Sequence, residues 1–172
     1  MDLRYPLGTF AEALATETVY EADVRDIAGF PERVKTAVGG LSPKQLTQRY
    51  RPGSWDIRQL VHHCADSHLV AIGRVKRALT QDGPRVDGYD EAATAQLPDY
   101  TLPLAPTLDL LTGLHAHFAG LLAALTPGQR RRTYFHTGEA RAFTVTEAAR
   151  VYAWHGRHHL AHVKLALTQP AE

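Results

Sequence analysis

The stretch Thr144-Val145-Thr146-Glu147-Ala148-Ala149-Arg150-Val151-Tyr152-Ala153-Trp154-His155-Gly156-Arg157-His158-His159-Leu160-Ala161-His162 decides how the rest of the chain is read. Thr144 lies three residues before Glu147, the spacing at which a hydroxyl and a carboxylate satisfy orphan backbone donors in a capping box. It predicts a helix that opens at Thr144 and continues to about Leu167. Residues four apart on such a helix differ by about 40° around its axis, so His155 and His159 project from one face with adjacent ring tips. A neutral imidazole offers one nitrogen to zinc at about 2.0–2.1 Å, and two of them on one rigid turn are largely pre-organised. His158 and His162 have the same spacing and stand as the rival pair.

Outward from this segment the chain reads as three more long helices. Residues 56–80 carry an apolar stripe of Ile57, Leu60, Val61, Cys64, His68, Ala71, Ile72, Val75 and Leu79. His63 sits beside that stripe, whereas its neighbour His62, with Asp66, belongs to the far side. Residues 105–125 repeat Leu108, Leu111, Leu114, Phe118, Leu121, Leu122 and Leu125 at helical spacing. A first helix is expected over 17–38, interrupted or kinked at Pro31 and ended by Gly39-Gly40. Met1 to Phe10 reads as an irregular lead-in, Ser42-Pro43 as a short helical turn, and 51–54 as a loop. Residues 81–104 form a long connection rich in turn residues, and a connection of that length is more often functional than idle. Alternation is weak over 130–145, where Thr137-Gly138 could turn a small hairpin. The expected fold is therefore all-α, a four-helix bundle in one domain spanning 1–172.

Composition narrows the chemistry. The 172 residues carry 19 Lys+Arg against 18 Asp+Glu, without the basic footprint of a nucleic-acid binder. A single Cys64 excludes an internal disulfide, a four-thiolate zinc site and an iron–sulfur cluster, and is read as core packing. No apolar run reaches the roughly 18–20 residues of a membrane span, and the first residues lack a signal-peptide pattern, which places the protein in the cytoplasm. Ten residues are histidine, and nine of them fall on the helices over 56–80, 105–125 and 144–167, with only His136 elsewhere. Bundles build metal sites from side chains on facing helices, so His63 is the third ligand expected to join His155 and His159. His68 is its runner-up but is read as a buried, hydrogen-bonded core residue, and His62 as solvated or at a subunit contact. His115 and His117 diverge around their helix, so at most one points inward. Asp66 reads as solvated and Glu147 as a cap, with Asp66 or His162 able to orient a ligand ring through its other nitrogen. Three histidines leave coordination positions open, as a catalytic site requires.

The runs Arg51-Pro52-Gly53-Ser54-Trp55-Asp56-Ile57-Arg58-Gln59-Leu60-Val61-His62-His63-Cys64-Ala65-Asp66-Ser67-His68 and Tyr152 to His162, together with Arg4 to Phe10 and Tyr89-Asp90-Glu91, resemble the YfiT branch of the DinB superfamily. That branch comprises proteins described as metal-dependent hydrolases and includes bacillithiol S-transferases. The resemblance implies a four-helix bundle with one divalent metal, zinc or nickel, held by the second histidine of the helix-two pair and by a His-x-x-x-His pair on helix four. Carried over, these are His63, His155 and His159, with water completing the shell and a homodimer as the assembly. Val70 and Thr94 depart from the residues usual there, commonly Asn and often Trp, so substrate identity does not transfer.

The activity so implied is a metal-dependent transferase joining a low-molecular-weight thiol, bacillithiol as possible co-substrate, to an electrophilic substrate. Cation binding stabilises the thiolate that attacks. Arg58, Arg157 and Lys164 are candidates for holding the carboxylates of the thiol. The alternatives are a metal-dependent hydrolase using activated water and a non-catalytic metal-binding bundle. No Glu adjoins the helix-four pair as it does in zinc proteases, which favours thiol transfer.

Overall fold

The computed structural model describes residues 2–15 and 18–169. Its four long helices are α2 (Tyr20–Val38), α4 (Ile57–Thr80), α6 (Leu104–Ala123) and α8 (Val145–Thr168). Between and before them lie four short helices: α1 (Phe10–Ala15), α3 (Pro43–Leu46), α5 (Glu91–Thr94) and α7 (Pro127–Arg130). A 3-10 turn (Pro98–Thr101) and three short strands, β1 (Arg85–Val86), β2 (Thr133–His136) and β3 (Arg141–Thr144), complete the set. Both α2 and α4 pack on α6 and α8, so the consecutive helices α2 and α4 are diagonal in the bundle and need a long connection. None of the described helices is long and apolar enough to cross a membrane.

Local chemistry sets the helix starts. Thr144 and Glu147 form the expected capping box on α8, and Asp56 with Gln59 forms an equivalent one on α4. The Glu17 start of the first helix lies outside the described residues, and α2 is helical from Tyr20. Pro31 does not split α2, because the Ile27 carbonyl that it leaves without an N–H partner accepts from His115 Nδ1 at 2.6 Å. The lead-in ends in α1, which packs on α8. The helical bundle stands as expected with a minor sheet beside it, in which β2 and β3 form the anticipated Thr137-Gly138 hairpin and β1 pairs in parallel with β2.

Core packing fixes where α8 sits relative to α2. A Cβ built on Gly156 would lie 2.9 Å from Cδ2 and 3.1 Å from Cε2 of Phe30, closer than real side chains approach. Phe30 is itself only 1% exposed, with the His68 and His115 rings packed at centroid distances of 5.3 and 5.1 Å. There is nowhere for the ring to retreat. Gly156→Val is therefore expected to destabilise the protein by about 1–3 kcal/mol through overpacking, read as a lowered urea midpoint. An unchanged midpoint would show that Phe30 can move.

Candidate metal centre

The histidines of α4 and α8 face each other across the α4–α8 contact. Nε2 of His63 lies 3.1 Å from Nε2 of His155. One ligand atom each from His63, His155 and His159 falls within 4.8 Å of the others, and these three alone form such a group among the described residues. Two nitrogens on a tetrahedral cation at about 2.0–2.1 Å stand about 3.3 Å apart, so the His63–His155 separation already suits one ion.

Burial keeps the rings in the form a metal needs. Desolvation pulls His63 down to about 4, and drives His155 and His159 well below the usual imidazole value, aided by the neighbouring histidines. Neutral rings retain a lone pair, and neutral imidazole is the metal-binding form. Among the described residues the hydrogen bonds of the trio go to other histidines and to Tyr89, whose Oη lies 3.5 Å from His63 Nδ1. Trp55 covers the His63 ring at a centroid distance of 4.6 Å. The donor set therefore fits a divalent cation with nitrogen preference and leaves coordination positions free.

The remaining histidines separate clearly. His68 is fully buried and hydrogen-bonded to His115 (2.8 Å) and His155 (2.9 Å), as expected of a core residue. The rival pair packs against aromatic rings instead, His158 stacked on Trp154 at 4.5 Å and His162 on Tyr50 at 4.0 Å. His162 Nδ1 also lies 3.4 Å from His159 Nδ1. His115 points inward and is 0% exposed. His62 corrects its expectation of solvation, because the end of the 81–104 connection and the start of α6 cover the far side of α4. Its Nε2 meets the Leu102 carbonyl at 3.2 Å and its Nδ1 meets Thr107 Oγ1 at 2.8 Å. Asp66, read as solvated, accepts a 2.7 Å bond from Tyr100 Oη on the same covering segment and orients no ligand ring.

A cavity of about 480 Å³ opens beside His155 and His159, within the usual range for small-molecule sites. Ser67, Arg74, Tyr89, Glu91, Tyr152 and Trp154 contribute to its wall. None of the three cations proposed for a thiol's carboxylates lines it. Arg157 is paired with Asp26, Arg58 donates to the Thr101 carbonyl at 3.2 Å, and Lys164 is exposed. Arg74 is the arginine on the wall, and it was not legible in the sequence because it falls nearly two turns past His68 with no pattern of its own. It donates to Tyr152 Oη at 3.2 Å and to the Asp87 carbonyl at 2.8 Å, while its buried Nε has no partner among the described residues. Glu91, an exposed residue, shares the wall, and partial desolvation of its carboxyl raises its pKa against the opposing pull of Arg74.

Comparison with known proteins gives the family. The chain is 40% identical over 168 residues to a Halalkalibacterium halodurans protein named "Putative metal-dependent hydrolase", covering 97% of this chain and 98% of that one. A protein of the same name from Oceanobacillus iheyensis is 38% identical, with 95% of each chain covered. YfiT from Bacillus subtilis, whose structure is described as that of "a probable metal-dependent hydrolase with an unusual four-helix bundle topology", superposes with a TM-score of 0.87 at 32% identity over 95% of each chain. With residues 28–163 matching its family model as well, the chain belongs to the DinB superfamily.

Proposed function

We propose that the protein is a metal-dependent enzyme in which His63, His155 and His159 hold one zinc or nickel ion, and that it transfers a low-molecular-weight thiol to an electrophilic carbon. The observation that carries this reading is a three-nitrogen cluster with no carboxylate hydrogen-bonded to it among the described residues, two of whose rings, His155 and His159, line a cavity of about 480 Å³. A divalent cation at that point supplies Lewis acidity, which lowers the pKa of a coordinated thiol. A free thiol titrates near 8.5, whereas bulk water titrates near 15.7, so the thiol demands far less help from a protein base. The sulfur forms the new C–S bond, the leaving group departs with its bonding electrons, and the thiol proton passes to solvent. A stable leaving anion needs no protein acid.

The residues on the wall have matching roles. Trp154 and Tyr152 supply apolar surface for the electrophile, and Arg74 brings the positive charge of its guanidinium to the wall for an anionic group such as a carboxylate of bacillithiol. Arg74→Ala is expected to raise KM for a carboxylated thiol about tenfold or more, with a smaller change for an uncharged thiol such as 2-mercaptoethanol. Equal effects on both thiols would remove Arg74 from thiol recognition.

Hydrolysis is the second reading, favoured by one observation and by the names of the relatives. Glu91 lines the same cavity with a pKa raised by partial desolvation of its carboxyl, which suits a group that shuttles a proton. Incubating metal-loaded protein with bacillithiol and a chromogenic electrophile, then with ester and amide substrates, separates the two. Conjugation that survives Glu91→Gln supports thiol transfer. Ester or amide turnover that Glu91→Gln abolishes, with no conjugation, selects the hydrolase.

A further inference from the structure

A line of hydrogen bonds runs from the backbone of α2 to the ligand cluster, and its direction is fixed at one end. The Ile27 carbonyl can only accept, so His115 Nδ1, 2.6 Å away, carries a hydrogen. In a neutral ring Nε2 of His115 is then an acceptor, and it lies 2.8 Å from Nδ1 of His68. His68 must in turn be protonated on Nδ1 and accept on Nε2, which lies 2.9 Å from Nδ1 of His155. His155 is left with its hydrogen on Nδ1 and a bare lone pair on Nε2, the atom that faces His63.

We propose that His68 and His115 are positioning residues that hold His155 in the Nδ1-protonated tautomer, so that Nε2 reaches the cation without a competing proton. This rests on the reading of the trio as a metal site. Outer partners that fix a ligand ring's tautomer are an established device, usually built from a carboxylate or a carbonyl. Here two further imidazoles span the distance to a carbonyl buried in α2. Pro31 is part of the arrangement, because a residue with an N–H at that position would share the Ile27 carbonyl. Phe30 packs on both relay rings and Tyr152 meets the His68 ring edge-on at a centroid distance of 5.3 Å, which limits rotation of either imidazole. His68 and His115 are each 0% exposed, and both nitrogens of each ring are taken up by the relay.

The test reads protons directly. Long-range ¹H–¹⁵N correlation spectra of the metal-free protein, labelled on histidine nitrogen, should show His68, His115 and His155 all protonated on Nδ1. Any of the three protonated on Nε2 overturns the proposal, whatever the metal does. Zinc affinity, measured by competition with a chromophoric chelator, should fall about 10–100-fold in His68→Leu. His68→Gln, whose side-chain oxygen can accept from His155 while its NH2 donates to His115, should recover most of that loss. Equal losses in His68→Leu and His68→Gln would reduce His68 to packing. Wild-type protein that shows the expected tautomers yet binds no zinc would instead refute the metal reading on which the relay depends.

Discussion

His159→Ala is expected to empty the metal site while leaving the bundle folded. The wild-type protein should carry about one divalent cation per chain, and the variant should lose affinity by more than about a hundredfold, a larger loss than outer-sphere substitutions produce. The reason is geometric. His63 and His155 bring two Nε2 atoms within 3.1 Å, but two nitrogens cannot hold a zinc or nickel ion against a chelator when the third donor is gone. His159 lies on the cavity side of α8, so its truncation adds volume next to an existing opening. Far-UV circular dichroism should not change. The comparison variants are His158→Ala and His162→Ala, whose rings stack on Trp154 and Tyr50. They should keep the metal and lose about 1–3 kcal/mol of stability, because they remove packed rings and no ligand. Elemental analysis of the three proteins after identical dialysis decides the matter. Metal retained by His159→Ala and lost from His162→Ala would transfer the site to the rival pair.

That rivalry shows how far the sequence could be read. The four-residue periodicity makes two equivalent pairs on α8, and only the facing element distinguishes them. His63 on α4 meets the 155/159 face, an inference available because its place beside the apolar stripe set it toward the bundle. The capping box at Thr144 placed the helix start to the residue, since that signal depends on contacts three residues apart. Features that depend on distant segments were not legible. His62 is polar and lies off the stripe, so only the return of residues 98–107 over that side of α4 makes it buried. The parallel pairing of Arg85-Val86 with Phe135-His136 joins strands about fifty residues apart, with no alternation long enough to announce either. Proline removes a helix donor, so local rules give a kink or an interruption at Pro31. The substitute donor, His115, stands 88 positions away in the chain and no local rule can supply it. Arg74 belongs to the same class, an ordinary helix cation until the cavity is known.

The second large effect is acid lability of the metal-free protein. His63 and His115 have folded-state values near 4, against about 6.5 for an exposed imidazole, and in both the dominant cause is desolvation. The folded values are depressed, so at pH between the two the unfolded chain binds protons that the folded chain refuses. Stability is therefore complete above about pH 6.5 and declines as pH falls toward 4. Each group contributes a slope of up to about 1.4 kcal/mol per pH unit, and two together remove up to about 6 kcal/mol across the window. A domain of this kind has about 5–15 kcal/mol in total, so unfolding near pH 4–5 is expected from these groups alone. The buried His68, His155 and His159 are shifted in the same direction and steepen the fall. Zinc or nickel should oppose the transition, since a cation on neutral imidazoles favours the same protonation state as the fold, until protons outcompete it. Urea midpoints at intervals between pH 7.5 and 4.5, with and without metal, measure both effects. The metal-free curve should drop steeply and His115→Gln should flatten it, because one depressed group is gone. A metal-free stability that stays level from pH 7 to pH 5 would mean that these histidines already exchange protons with solvent in the folded protein, and the dry interior that keeps the trio neutral would not exist.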